Sequence, residues 1–180
     1  MITIEQLYAI RVYEKQLGPL KTLSMLNKPD AYNVYLLESS SMQEAQTATS
    51  LRFSFEELML KIFVAKGGRP RQSFPYYFHI ANEPHQDILA YFKDPEYIKI
   101  PLSAFDKDTI SFTFGNSGIA FFRKDNHPTR RKIYLLDEFV KILNEYGTTV
   151  NYNNINDFLE MHLWDRDILN DYKRFVYTSL

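Results

Sequence analysis

Thr109 to Phe122 reads TISFTFGNSGIAFF, and its interpretation sets the fold class. From Thr109 to Phe114, β-branched and aromatic residues recur with period two, the pattern of a strand with one buried face. Gly115-Asn116-Ser117-Gly118 is turn chemistry, and Ile119 to Phe122 has the length and apolarity of a returning hairpin partner. Upstream, FPYYFHI at Phe74 to Ile80 predicts a strand entering after Pro75. YIKIPL at Tyr97 to Leu102 alternates, and Pro101 places it at an edge or a strand end. Glu83 to Phe92 between them suits a short helix with Pro84 in its first turn. Downstream, Asp137 to Tyr146 predicts a helix closed by Gly147. Phe158 to Trp164 alternates and reads as a strand, although a helix from Asn156 fits almost as well. Asp167 to Tyr177 reads as a terminal helix.

The first third reads as helical. Thr3 and Gln6 have capping-box spacing, and Ile4, Leu7, Tyr8 and Val12 follow at helical intervals until Gly18-Pro19. A second short helix carries Leu20, Leu23 and Leu26, and a third begins at Asp30. Ser39 to Ser50 is polar and fits a surface helix or a loop. Ser54 and Glu57 open the clearest helix, with Phe55, Leu58, Met59, Ile62 and Phe63 as its buried stripe and Gly67-Gly68 as its end. The expected architecture is therefore α+β in one globular domain over residues 1–180. A helical N-terminal third packs on a small, mostly antiparallel sheet, and helices follow at the C-terminus.

Composition narrows the chemistry. The 180 residues contain no cysteine, which excludes disulfides, thiolate metal sites and cysteine nucleophiles. No apolar run is long enough to span a membrane, and the N-terminus lacks the apolar core of a signal peptide, so a cytoplasmic protein is expected. Aromatic residues make up 16%, which suits a core of large rings or, in part, exposed stacking surfaces.

The net charge of −1 hides a segregation. Lys66, Arg69 and Arg71 flank one turn, and Arg123, Lys124, Arg130, Arg131 and Lys132 bracket a second loop. Those two windows hold one acid, Asp125, while the remainder carries 13 cations against 21 acids. Guanidinium forks and free backbone N–H groups bind phosphate, so these eight cations, with Tyr76 and Tyr77 as stacking rings, are the candidate ligand-binding residues. The competing interpretation is two solvated loops whose charges pair with the acidic C-terminal third. No nucleotide-binding glycine motif, metal-binding histidine spacing or nucleophile elbow occurs, so neither metal nor cofactor is expected. His79, inside an aromatic strand, reads as a hydrogen-bonded core residue.

GGRPRQSFPYYF followed by YIKIPLSAFDKDTISFTFGNS resembles a pattern in a family of uncharacterised bacterial proteins, which implies no activity. Residues 74–122, with PYYF at Pro75 to Phe78 and FTFGN at Phe112 to Asn116, also resemble the middle of DarT-type DNA ADP-ribosyltransferases. That resemblance implies an NAD-using transferase. The N-terminal His-x-Thr that holds NAD in those enzymes has no counterpart, because the first histidine is His79, and no catalytic residue carries over. Three functions follow as expectations. The first is binding of a nucleotide or nucleic acid through the two basic loops. The second is a non-catalytic protein–protein or inhibitor role, for which the acidic third is suited. The third is an ADP-ribosyltransferase-like enzyme.

Overall fold

The computed structural model describes residues 1–38, 41–147 and 158–177, and the fold is α+β. Among the described residues, six strands form one antiparallel sheet: β1 (Tyr8–Glu14), β2 (Tyr76–Ile80), β3 (Pro95–Pro101), β4 (Ile110–Thr113), β5 (Glu160–Leu163) and β6 (Val176–Tyr177). Their spatial order is β4-β5-β2-β1-β3-β6. The α-helices are α1 (Lys28–Glu38), α2 (Met42–Ala65), α3 (Gln86–Leu89), α4 (Ser117–Phe122) and α5 (Leu136–Tyr146). No described helix is long and apolar enough to cross a membrane.

The N-terminal segment differs from its helical expectation. Tyr8 to Glu14 is a central strand, paired with β2 on one side and β3 on the other. Ala9, Ile10, Arg11, Val12 and Tyr13 are all buried, so both faces are covered and the period-two signature is lost. The spacing of Ile4, Tyr8 and Val12 then imitates a helix. Ser41, not Ser54, caps the long helix: its side chain accepts from the Glu44 N–H, and α2 runs unbroken through the polar stretch from Met42. Ser39 and Ser40 lie outside the described residues, as does Asn156. The expected return strand after GNSG is instead α4, whose Ala120 and Phe121 pack on α2. The expected terminal helix is a kinked 3-10 segment, Asp167–Phe175, that ends in β6.

The sheet has two differently filled faces. On one, α5 packs over β4, where the Phe112 and Phe139 rings stack 4.2 Å apart, and the same core continues through Met161, Phe78, Ala9 and Ile100. On the other, α2 sets Phe55, Met59 and Phe63 against Trp164, Phe121 and Ile133. Leu58, expected in that stripe, is 45% exposed, because it sits about 100° around α2 from the buried Met59, at the stripe's edge. α2 ends in a Schellman arrangement: Gly68 N–H donates to the Phe63 carbonyl and Gly67, at φ +95°, takes the expected left-handed conformation.

Candidate functional site

The second face carries an unusual row of polar groups. In register, Glu160 of β5 stands between His79 of β2 and Thr113 of β4, and His162 stands between Tyr77 and Ser111. All but Tyr77 are buried. Burial of that many polar side chains on one face of a sheet is costly unless they are bonded or serve a site.

Beside this row the β1–β2 ladder stops. The two strands pair only at Ala9↔Ile80 and Ile10↔His79. Past that point Arg11 fills the gap. Its Nε donates to the Pro19 carbonyl at 2.8 Å, one terminal nitrogen to the Tyr77 carbonyl at 2.9 Å and the other to the Lys21 carbonyl at 2.7 Å. Its guanidinium also lies 5.3 Å from the Tyr76 ring centre. Burial, with repulsion from Arg52, lowers its pKa to about 10, so it stays a cation at neutral pH. Arg11 therefore replaces the missing ladder with a charge, and it ties down the segment that follows β1.

A cavity of about 910 Å³ opens at this split. Arg11, Lys21 and Arg52 supply positive charge to its walls, and Glu14 and Glu160 supply carboxylates. Phe55, Phe92 and Tyr77 contribute rings. A second buried network holds the wall in place. Glu56 Oε1 accepts from Ser24 Oγ at 2.6 Å and from the Tyr77 hydroxyl at 2.8 Å, and it pairs with Arg52 Nε at 3.1 Å. Arg52 also lies over the Tyr77 ring at 5.0 Å. Burial and the neighbouring Glu56 push the Tyr77 phenol well above its ordinary pKa, so it remains a neutral donor. Such a space lies within the range of small-molecule sites, and it joins charges of both signs to flat apolar surface.

Glu160 is 7% exposed and is the carboxylate set deepest in this wall. Its Oε2 accepts from the Ser117 backbone N–H at 2.7 Å. The first residue of α4 thus aims a backbone donor at the strand, where a returning hairpin was expected.

The ten residues expected from sequence are placed differently. Tyr77 lines the cavity, while Tyr76 is fully buried under Arg11, so its ring is closed to a stacking ligand. None of the eight loop cations is among the described cavity-lining residues. The loops do adjoin, because Lys66 Nζ donates to the Ile133 carbonyl at 2.8 Å. Four of the cations face carboxylates: Lys66 with Glu138, Arg69 with Asp108, Arg71 with Asp165 and Asp167, and Arg130 with Asp125. Arg130 also reaches the Phe114 carbonyl at 3.2 Å, and its hydrogen bonds hold the Asp125 pKa down to about 2. Lys124, Arg131 and Lys132 are exposed and Arg123 is partly exposed. Among the described residues, no three His, Cys, Asp or Glu side chains gather as a metal site.

Sequence reasoning missed Arg11, Glu56 and Glu160. The available signal was a lone charge inside an apolar run, YAIRVY and FLEMHLW. Comparison with family models, curated proteins and solved structures finds no match to this chain.

Proposed function

We propose that the chain binds a phosphate-bearing nucleotide in the cavity at the β1–β2 split and cleaves an N-glycosidic bond there. This is the ADP-ribosyltransferase-like reading, with NAD as substrate. The observation that carries it is the pairing, in one cavity of about 910 Å³, of a buried cation, Arg11, with a buried carboxylate, Glu160. Phosphate needs a cation, and guanidinium serves it well. A ribosyl carbon losing its base acquires oxocarbenium character, and a carboxylate facing it stabilises that charge. The C1′–N bond breaks with its electron pair on nicotinamide, which leaves neutral and needs no acid. The acceptor's nucleophile then bonds to C1′, and its proton passes to Glu160. The phosphate-bearing ligand expected from the basic loops is here assigned to the cavity instead.

The test is titration with NAD and ADP-ribose by calorimetry, with nicotinamide release measured in parallel. Saturable binding that Arg52→Ala weakens, and release that Glu160→Gln abolishes, would support the reading. No binding at millimolar ligand would sink it.

A protein–protein role is favoured by a separate observation, the exposure of Leu51 and Leu58, two turns apart on one side of α2. Self-association that Leu58→Asp removes, measured by analytical ultracentrifugation, would support it.

A further inference from the structure

Trp164, Ser111, His162 and Glu160 form a single hydrogen-bonded chain through the buried face of the sheet. Trp164 Nε1 donates to Ser111 Oγ at 2.9 Å. Ser111 Oγ lies 3.2 Å from His162 Nδ1, and His162 Nε2 lies 3.3 Å from Glu160 Oε2. Ser111, His162 and Trp164 have no solvent exposure. Strand geometry builds the chain: Ser111 faces His162 across β4 and β5, and Glu160, His162 and Trp164 alternate onto one side of β5.

The direction of the chain follows from the donors. An indole N–H can only donate, so Ser111 Oγ accepts from Trp164 and must place its own proton elsewhere. Among the described residues the acceptor in reach is His162 Nδ1. That leaves the imidazole proton on Nε2, where it donates to Glu160. Oε2 then receives two protein hydrogen bonds, from Ser117 N–H and from His162. Oε1 is the oxygen left to meet a ligand.

We infer that His162 is a positioning residue: locked as its Nε2–H tautomer by Ser111 and Trp164, it clamps Glu160 Oε2 and turns Oε1 toward the cavity. This rests on the reading of Glu160 as the reactive carboxylate. A buried serine beside a histidine and a glutamate has the composition of a hydrolytic triad. Here, however, the hydroxyl is sealed from the cavity and accepts a hydrogen bond from the indole. The histidine serves the carboxylate, as an outer partner orients a working group.

Two measurements test the inference. The first is long-range nitrogen–proton NMR of the histidine rings in the whole protein, which reads the tautomer whatever the ligand. Wild type should give the Nε2–H pattern for His162, and Ser111→Ala should weaken that preference. An Nδ1–H pattern or a doubly protonated ring in wild type would overturn the inference. The second is nicotinamide release from NAD by His162→Leu and His162→Gln. Gln places an amide N–H near the Nε2 position, whereas Leu offers none. Leu should lower kcat at least tenfold with KM nearly unchanged, and Gln should recover most of the loss. Equal kcat for both variants and wild type, or equal losses in both, would count against clamping. If wild type releases no nicotinamide, the function reading fails, and the tautomer measurement still decides the clamp.

Discussion

The Ser117 backbone N–H donates to Glu160 Oε2 over 2.7 Å, joining the first turn of α4 to the start of β5. A backbone donor cannot swing away as a side chain can, so one carboxylate oxygen is anchored independently of any rotamer. Glu160→Gln keeps an acceptor oxygen for Ser117 while removing the negative charge. Melting temperature should therefore hold while nicotinamide release falls on the order of 100-fold or more. A thermal scan beside an activity assay checks both halves.

Arg11 should matter to folding as well as to binding. Replacing it with Met preserves length and apolar bulk but leaves the Pro19, Tyr77 and Lys21 carbonyls without their donor. Unmet buried groups cost about 1–3 kcal/mol each, and water reaching this partly open cavity recovers some of that, so about 2–4 kcal/mol in total is expected. Arg11→Lys keeps the charge but cannot span three carbonyls and should fall between the two. Urea denaturation at neutral pH resolves the order.

Acid sensitivity should trace to His79. The ring is buried beside Phe158, and burial, aided by repulsion from His85, lowers its pKa from 6.5 to about 3. The unfolded chain takes up a proton below its ordinary pKa, while the folded protein refuses it until pH 3. Stability is therefore unaffected above pH 6.5 and declines as pH falls from there toward 3, by about 1.4 kcal/mol per pH unit at most. His79→Gln should flatten that slope in urea melts taken between pH 4 and pH 7. An unchanged slope would place the sensitivity elsewhere.

Two neighbours on α2 should respond oppositely to truncation. Met59 is fully buried between Phe55, Phe63 and Trp164, so Met59→Ala should cost about 2–5 kcal/mol. Leu58 is 45% exposed, and Leu58→Ala should cost under about 1 kcal/mol. Comparable losses in denaturant midpoints would mean that Leu58 is covered in solution.

The glycine pair should be separable by mechanism. Gly67→Ala forces a side chain into left-handed backbone with open space around it, and should cost about 1 kcal/mol. Gly68→Ala places a Cβ directly against the Phe63 ring, which is fully buried and stacked on Trp164. Phe63 would have to move, so the cost should exceed that of Gly67→Ala. Paired thermal melts read the difference.

Local chemistry alone determined much of this protein. The absence of cysteine, the left-handed glycine ending α2, the α5 helix closed by Gly147 at φ +82°, the aromatic strand β2 after Pro75 and the period-two strand β4 all follow from neighbours a few residues apart, whereas the alternation at β5 fits a helix almost as well. β1 could not be read that way, because apolar side chains fill both of its buried faces and erase the alternation, whereas in β4 and β5 one buried face is polar and the alternation survives. The candidate site was decided by tertiary structure. Arg11 meets the Tyr77 carbonyl 66 residues away, and Glu160 meets Ser117 across 43. The eight loop cations were conspicuous in the chain because charge is visible in composition, yet three of them face carboxylates distant in sequence, such as Lys66 with Glu138, and Arg130 is held by Asp125 of its own loop. A lone Arg in YAIRVY and a lone Glu in FLEMHLW carry no local reason to be there. Only the parting of β1 from β2, which opens a cavity against both, gives them one.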